Sequence, residues 1–179
     1  MNTGHTPDSQ TIANRLAIEE VLHMHARGVD RADENILKSA YWPDAEVAYG
    51  GYNGLAWTFC EALPNSIRKY SATQHTVTNI LVEFNLNDAV AESYVTAYHY
   101  LESDQAEDSE MTYLGRYIDH MQKRDETWKI KFRQVVMDWN QNAPASAVLE
   151  GAPFSGLARG ARGDDDPLYI MQTTVLGRN

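Results

Sequence analysis

Ala89-Val90-Ala91-Glu92-Ser93-Tyr94-Val95-Thr96-Ala97-Tyr98-His99-Tyr100-Leu101 alternates with a period of two. One set, from Ala89 through Ala91, Ser93, Val95 and Ala97 to His99, is small and mostly apolar. The other set carries Glu92, Thr96 and the tyrosines. Successive side chains of a strand point to opposite faces, so this stretch reads as a strand with one face for a core. Working outward, Thr73–Phe84 is rich in Thr, Val and Ile and reads as the preceding strand, across a turn at Asn85 to Asp88. Met111–Arg124, the turn Asp125-Glu126-Thr127 and Trp128–Trp139 supply two more, after a solvated acidic loop from Glu102 to Glu110. Strand-like runs joined mainly by short turns predict an antiparallel meander.

The part before the sheet is helical. Asp8 or Ser9 can cap a helix running to about Val29, with Ile18, Val21, Leu22, His25 and Val29 on one face. Gly28 weakens its last turn, and Asp30 follows where it should end. A short helix is expected over Ala32–Ala40, then a break at Pro43-Asp44, a short strand Glu46–Tyr49 and a glycine-marked turn. Leu55–Tyr70 reads as helix, with Pro64 forcing a kink or a break. Helices first and sheet second make an α+β domain. A sheet curled around those helices would form a cone-shaped α+β barrel. The expected organisation is a flexible tail over 1–10, the barrel over 11–140 and a C-terminal extension over 141–179. The extension is rich in glycine and proline, and Leu168 to Leu176 is apolar enough to dock as a strand or short helix. It is expected to cover the pocket mouth or strap a neighbouring subunit.

Composition excludes whole classes of function. With 15 Lys+Arg against 25 Asp+Glu, the chain carries a net charge of −10, which argues against a phosphate-binding surface and hence against nucleic acid. A single cysteine, Cys60, forms no internal disulfide and no cysteine-based zinc site. No run approaches the roughly 18–20 apolar residues of a membrane span, and the polar N-terminus has no signal-peptide pattern. A cytoplasmic location is expected. No GxGxxG, phosphate loop, GxSxG or HExxH occurs. Tyr and Trp, 10 and 4, outnumber the 4 Phe, which suits a pocket as well as a core.

A cone lined by aromatics with a few polar groups is a default ligand site. Asp30 stands at the end of the apolar helix face, His75 opens a β-branched strand, and His99 shares its face with small residues. A carboxylate beside an imidazole orients it and favours its cationic form, which makes a better base. Two imidazoles and a carboxylate also make a metal-ligand set, but the spacing adds nothing to that reading, and neither metal nor cofactor is expected. His23 and His25 are two apart on a helix and face different ways, so they do not chelate together.

At these residues the sequence resembles the nuclear transport factor 2-like superfamily, in the SnoaL-like branch that includes scytalone dehydratase and hexachlorocyclohexane dehydrochlorinase. The matching pieces are Gly28-Val29-Asp30-Arg31-Ala32-Asp33, Tyr41-Trp42-Pro43-Asp44-Ala45, Gln74-His75 through Asn79, Asp88-Ala89-Val90-Ala91, Gly115-Arg116-Tyr117, and Arg124 to Arg133. The resemblance implies that Asp30 and His75 form a catalytic pair, with His99 as a second pocket histidine. It implies substrate contacts from Tyr49, Arg133 and Tyr117, the last standing where the dehydratase has an asparagine. Trp42, Trp57 and Asn79 are also expected near the pocket. Val29 stands where the dehydratase has a second tyrosine, so a different substrate is implied. The expected function is a cofactor-independent lyase, a dehydratase or related elimination including carbon–carbon cleavage. Its expected partner is a hydrophobic, aromatic or polycyclic small molecule. An isomerase or polyketide cyclase with the same pair, or a non-catalytic binding or assembly domain, are the alternatives. Relatives bury the outer sheet face in an oligomer, so a homodimer or homotrimer is expected.

Overall fold

Asp8 accepts a hydrogen bond from the Thr11 amide at 2.6 Å and starts helix α1, Ser9–Asp30, so the loose N-terminal segment is shorter than expected. The computed structural model describes residues 4–148 and 151–177; the first three residues of the expected tail lie outside them. α1 buries Ile18, Leu22, His25 and Val29, the face read from the sequence. Asp33 caps the short helix α2, Glu34–Ser39, by accepting from the Ile36 amide at 2.9 Å. Gly28 serves packing here: a Cβ on it would lie 2.9 Å from the Leu37 nitrogen, so its absence lets α2 fold tightly onto α1.

The chain does not break at Pro43. Strand β1 runs through it, Tyr41–Tyr49, and turns at Gly50 into a short strand β2, Tyr52–Leu55, which the glycines had masked. β1 tolerates the proline because its pairing with the last strand is interrupted by a register shift between Tyr41 and Glu46. Helix α3, Ala56–Ile67, likewise continues past Pro64 and ends three residues later. Then come β3, Ala72–Asn85; β4, Asp88–Leu101; β5, Ser109–Arg124; and β6, Thr127–Pro144.

The strand order is β2-β1-β6-β5-β4-β3. The meander of β3 to β6 is antiparallel as read, but β1 lies parallel to β6, pairing Val47 with Arg133. The alternation of β4 is real: Ala89, Ala91, Ser93, Val95, Ala97 and His99 are its buried set. The α+β architecture and the curved sheet wrapped on helices stand as expected. The apex of the cone is full, however. Tyr41, Tyr117, Met121, Ile130 and Arg133 occupy it at 2 % exposure or less. After β6 the chain makes two 3₁₀ turns, Phe154–Gly156 and Gly163–Asp165, and helix α4, Pro167–Leu176, with Asp166 as its N-cap. Among the described residues, no helix is long and apolar enough to cross a membrane.

Candidate active site

Asp30 is the last residue of α1, at the negative end of the helix dipole, where a carboxylate needs donors. β3 supplies three. The His75 ring donates from Nδ1 to Oδ1 at 2.8 Å, the His75 amide donates to Oδ2 at 2.9 Å, and the Thr73 hydroxyl donates to Oδ1 at 3.0 Å. Thr73 and His75 share a strand face because they are two apart. The same periodicity could have singled Thr73 out in the sequence. A proton on Nδ1 leaves the Nε2 lone pair of His75 as the basic site, and Nε2 makes no hydrogen bond among the described residues. The side chains of His75 and Asp30 are 4 % and 12 % exposed, so the pair is sheltered without being sealed.

His99 stands edge-on to His75, with ring centroids 5.4 Å apart, and packs on Tyr70 at 4.7 Å. Burial, then the neighbouring His75 charge, push its pKa below the ordinary value of 6.5, so it is neutral near pH 7. Its Nδ1 is buried without a partner. The role of Tyr70, in the turn between α3 and β3, carries no local signal in the sequence.

Two recesses reach this cluster. One of about 260 Å³ is walled by His23, Arg27, Asp30, Arg31, His75 and Val77. A groove of about 450 Å³ is walled by residues that include Thr73, Gln74, Tyr98, His99, Met111 and Thr112. The open space therefore lies at the rim of the cone, beside the histidines, rather than in its depth.

The six expected substrate contacts lie outside the walls of these two recesses. Trp42 donates from Nε1 to the Gln122 carbonyl at 2.9 Å and is flanked by the Arg124 and Lys129 cations. Trp57 is on the outside of α3 under Lys38, at 37 % exposure. Asn79 is exposed on a β3 irregularity, with φ at 48°. Arg133 has no exposed surface: Nε and Nη2 each meet an oxygen of Asp119 at 2.7 Å, and Nη1 donates to His25 Nδ1 at 2.9 Å. Three of its donors are engaged inside the core, and a guanidinium with no exposed surface is out of a ligand's reach. Burial opposes the Arg133 charge, but Asp119, Tyr41 and Tyr117 together outweigh it and the net direction is up. Burial also lifts the Asp119 carboxyl against the pull of Arg133. The twin contacts are those of an ionised pair, because a protonated carboxyl would turn an O–H toward an N–H.

Tyr117 completes this core network, with its ring 4.0 Å from the Arg133 guanidinium. It shares a side-chain hydrogen bond with Tyr49, which packs on Phe59 at 4.7 Å. Of that tyrosine pair, Tyr49 is the partly exposed member. Cys60 is buried in α3, and burial pushes its thiol up to about 12, which removes it as a nucleophile. Among the described residues, no cluster of three or more His, Cys, Asp or Glu has a metal-binding arrangement.

The sequence profile of the SnoaL-like domain family matches residues 10–134. The chain belongs to the SnoaL-like family. The match covers α1 through the first part of β6, so the rest of the last strand and the C-terminal segment fall outside the SnoaL-like profile. Solved structures agree on the fold. A type 2 hexachlorocyclohexane dehydrochlorinase superimposes with a TM-score of 0.67 at 24% identity, covering 82% of this chain and 99% of that one. A candidate scytalone dehydratase from Novosphingobium aromaticivorans gives 0.65 at 21% identity, covering 83% and 97%. A type 3 dehydrochlorinase from Novosphingobium barchaimii gives 0.65 at 22% identity, covering 79% and 97%. Likeness at this identity is likeness of fold. No protein of curated function matches this SnoaL-like chain.

Proposed function

We propose that the protein is a cofactor-independent lyase acting on a hydrophobic small molecule, with His75 as the base. The observation that carries this is the 2.8 Å Asp30–His75 contact, which leaves Nε2 unspent beside a recess. Asp30 holds the ring in one tautomer and balances the charge that His75 gains. His75 Nε2 takes a proton from carbon, the freed electron pair forms a double bond, and hydroxide leaves the adjacent carbon. The imidazolium returns its proton to the hydroxide, so water departs and His75 is reset. His99, neutral beside His75, is the polar group placed to meet the substrate from the β4 side. The dehydrochlorinases among the similar folds support an elimination.

A screen of aromatic diols and hydroxy-ketones, read by product mass, tests the reading. A product lighter by one water is expected. An unchanged mass would instead indicate an isomerase or cyclase using the same pair. Activity of His75→Ala and Asp30→Asn within a few-fold of the parent would overturn the mechanism.

A further inference from the structure

An acidic chain has gathered arginines at one place. Arg27 and Arg31 wall the recess that holds Asp30 and His75. Arg68 donates from Nη2 to the Ala32 carbonyl at 2.9 Å, which brings it from α3 to the segment just after Asp30. The C-terminal segment adds a fourth. Asp166 is 2 % exposed, and its Oδ2 meets Arg31 Nε at 3.2 Å. The same oxygen accepts the Ala161 amide at 2.9 Å, so residues 161–166 close into a loop pinned on Arg31. Tyr169, one turn into α4, lies within the fields of Arg27, Arg31 and Asp33. The loop carries Arg162 to a place where its charge feels those of Arg68 and Asp30.

Arg31 and Arg68 have polar partners and Arg27 is exposed, whereas Arg162 is partly buried and makes no ion pair or hydrogen bond among the described residues. Like charges held together and partly desolvated are unfavourable unless an anion joins them. Partial burial and Arg68 both press against the Arg162 charge, and Asp30 relieves it only in part. Asp30 already receives three donors from β3. A guanidinium with its fork free suits a carboxylate, which it grips with two parallel N–H donors.

We propose that Arg162, delivered by the C-terminal segment, is a specificity-determining residue that recognises a carboxylate on the hydrophobic substrate, with Arg68 beside it. This rests on the reading of the Asp30–His75 recess as the substrate site. It places the carboxylate at the rim and the reacting carbon toward His75. The segment is thereby part of the site and not only a cover.

Calorimetric titration of the full chain with 2-naphthoate and with uncharged 2-naphthamide tests this. The parent protein is expected to bind naphthoate at least about tenfold more tightly than naphthamide. Arg162→Gln should abolish that preference while leaving naphthamide binding unchanged, and Arg162→Lys should keep part of it. Equal binding of the two probes by the parent, a preference untouched by Arg162→Gln, or no naphthoate binding up to about 10 mM would overturn the proposal. Should the Gln variant fail to fold, the parent decides: its preference must shrink between about 50 and 500 mM salt, and a salt-indifferent preference overturns the proposal. His75→Ala separates the two readings. If that variant still turns over a screened substrate while the naphthoate preference depends on Arg162, the catalytic assignment fails and the carboxylate site stands.

Discussion

Asp30 meets His75 at the rim of the cone, and Asp119 meets Arg133 at its heart, yet the two carboxylates do opposite work. Asp119 and Arg133 are fully buried, and the remaining Arg133 contact goes to His25. Each nitrogen of that guanidinium has a partner inside the fold. At the rim the carboxylate is saturated, but the imidazole keeps one nitrogen free beside open space. A closed pair can only hold structure, because any proton or ligand would have to break it first. An open pair can exchange a proton with something that arrives.

That contrast breaks most visibly in the core. Asp119→Ala strands the Arg133 charge and should cost about 3–5 kcal/mol in urea unfolding. Asp119→Leu with Arg133→Met, which removes both charges, should cost far less. Equal losses would mean that the pair is not the closed ionic unit described. At the rim the balance reverses: His75→Ala should lower turnover by about 10²–10⁴-fold. Its unfolding free energy should change by only about 1–2 kcal/mol. A stability loss as large as that of Asp119→Ala would erase the distinction between the pairs.

Acid separates the regions more gently. His25 is held well below the ordinary 6.5 by burial and then by the Arg133 and His75 charges. His99 is held below it by burial and His75. Unfolding frees both to bind protons that the folded state refuses. Their stability contribution is complete above 6.5 and lost as pH falls below it, by up to about 1.4 kcal/mol per pH unit for each histidine. His25→Asn should remove the larger part of that slope, measured by urea unfolding between about pH 5 and 7. Smallest of all, Thr73→Val deletes one donor to Asp30 and should cost about 1 kcal/mol, read as a modest fall in turnover. An unchanged rate would mean that the two His75 contacts alone position Asp30.

Each partner of the rim pair was readable by a local rule, since Asp30 ends an apolar helix face and His75 opens a β-branched strand, and the family resemblance implied that the two pair. Arg133 was expected at the substrate because the family resemblance implies an arginine there in the last strand. Whether an inward arginine meets a ligand or a buried carboxylate depends on Asp119, which sits across from it on β5. Trp42 and Trp57 failed differently. Their aromatic bulk suited a pocket, but neighbouring cations gave both rings partners on the outside. The strand through Pro43 escaped notice because its tolerance comes from a break in pairing with a strand far along the chain.

Periodicity by itself determined the helix faces, the four-strand meander and the α+β class, because backbone geometry repeats over a few residues and writes its period into the chain. Tertiary structure alone decided which groups meet. Asp30 and His75 are 45 residues apart, β1 joins β6 in parallel, and Asp166 returns to Arg31 across most of the chain. Those meetings depend on how far the sheet curls and which side chains fill the space it encloses. Tyr41, Tyr117 and the Asp119–Arg133 pair filled the apex, and so the open space lies at the rim.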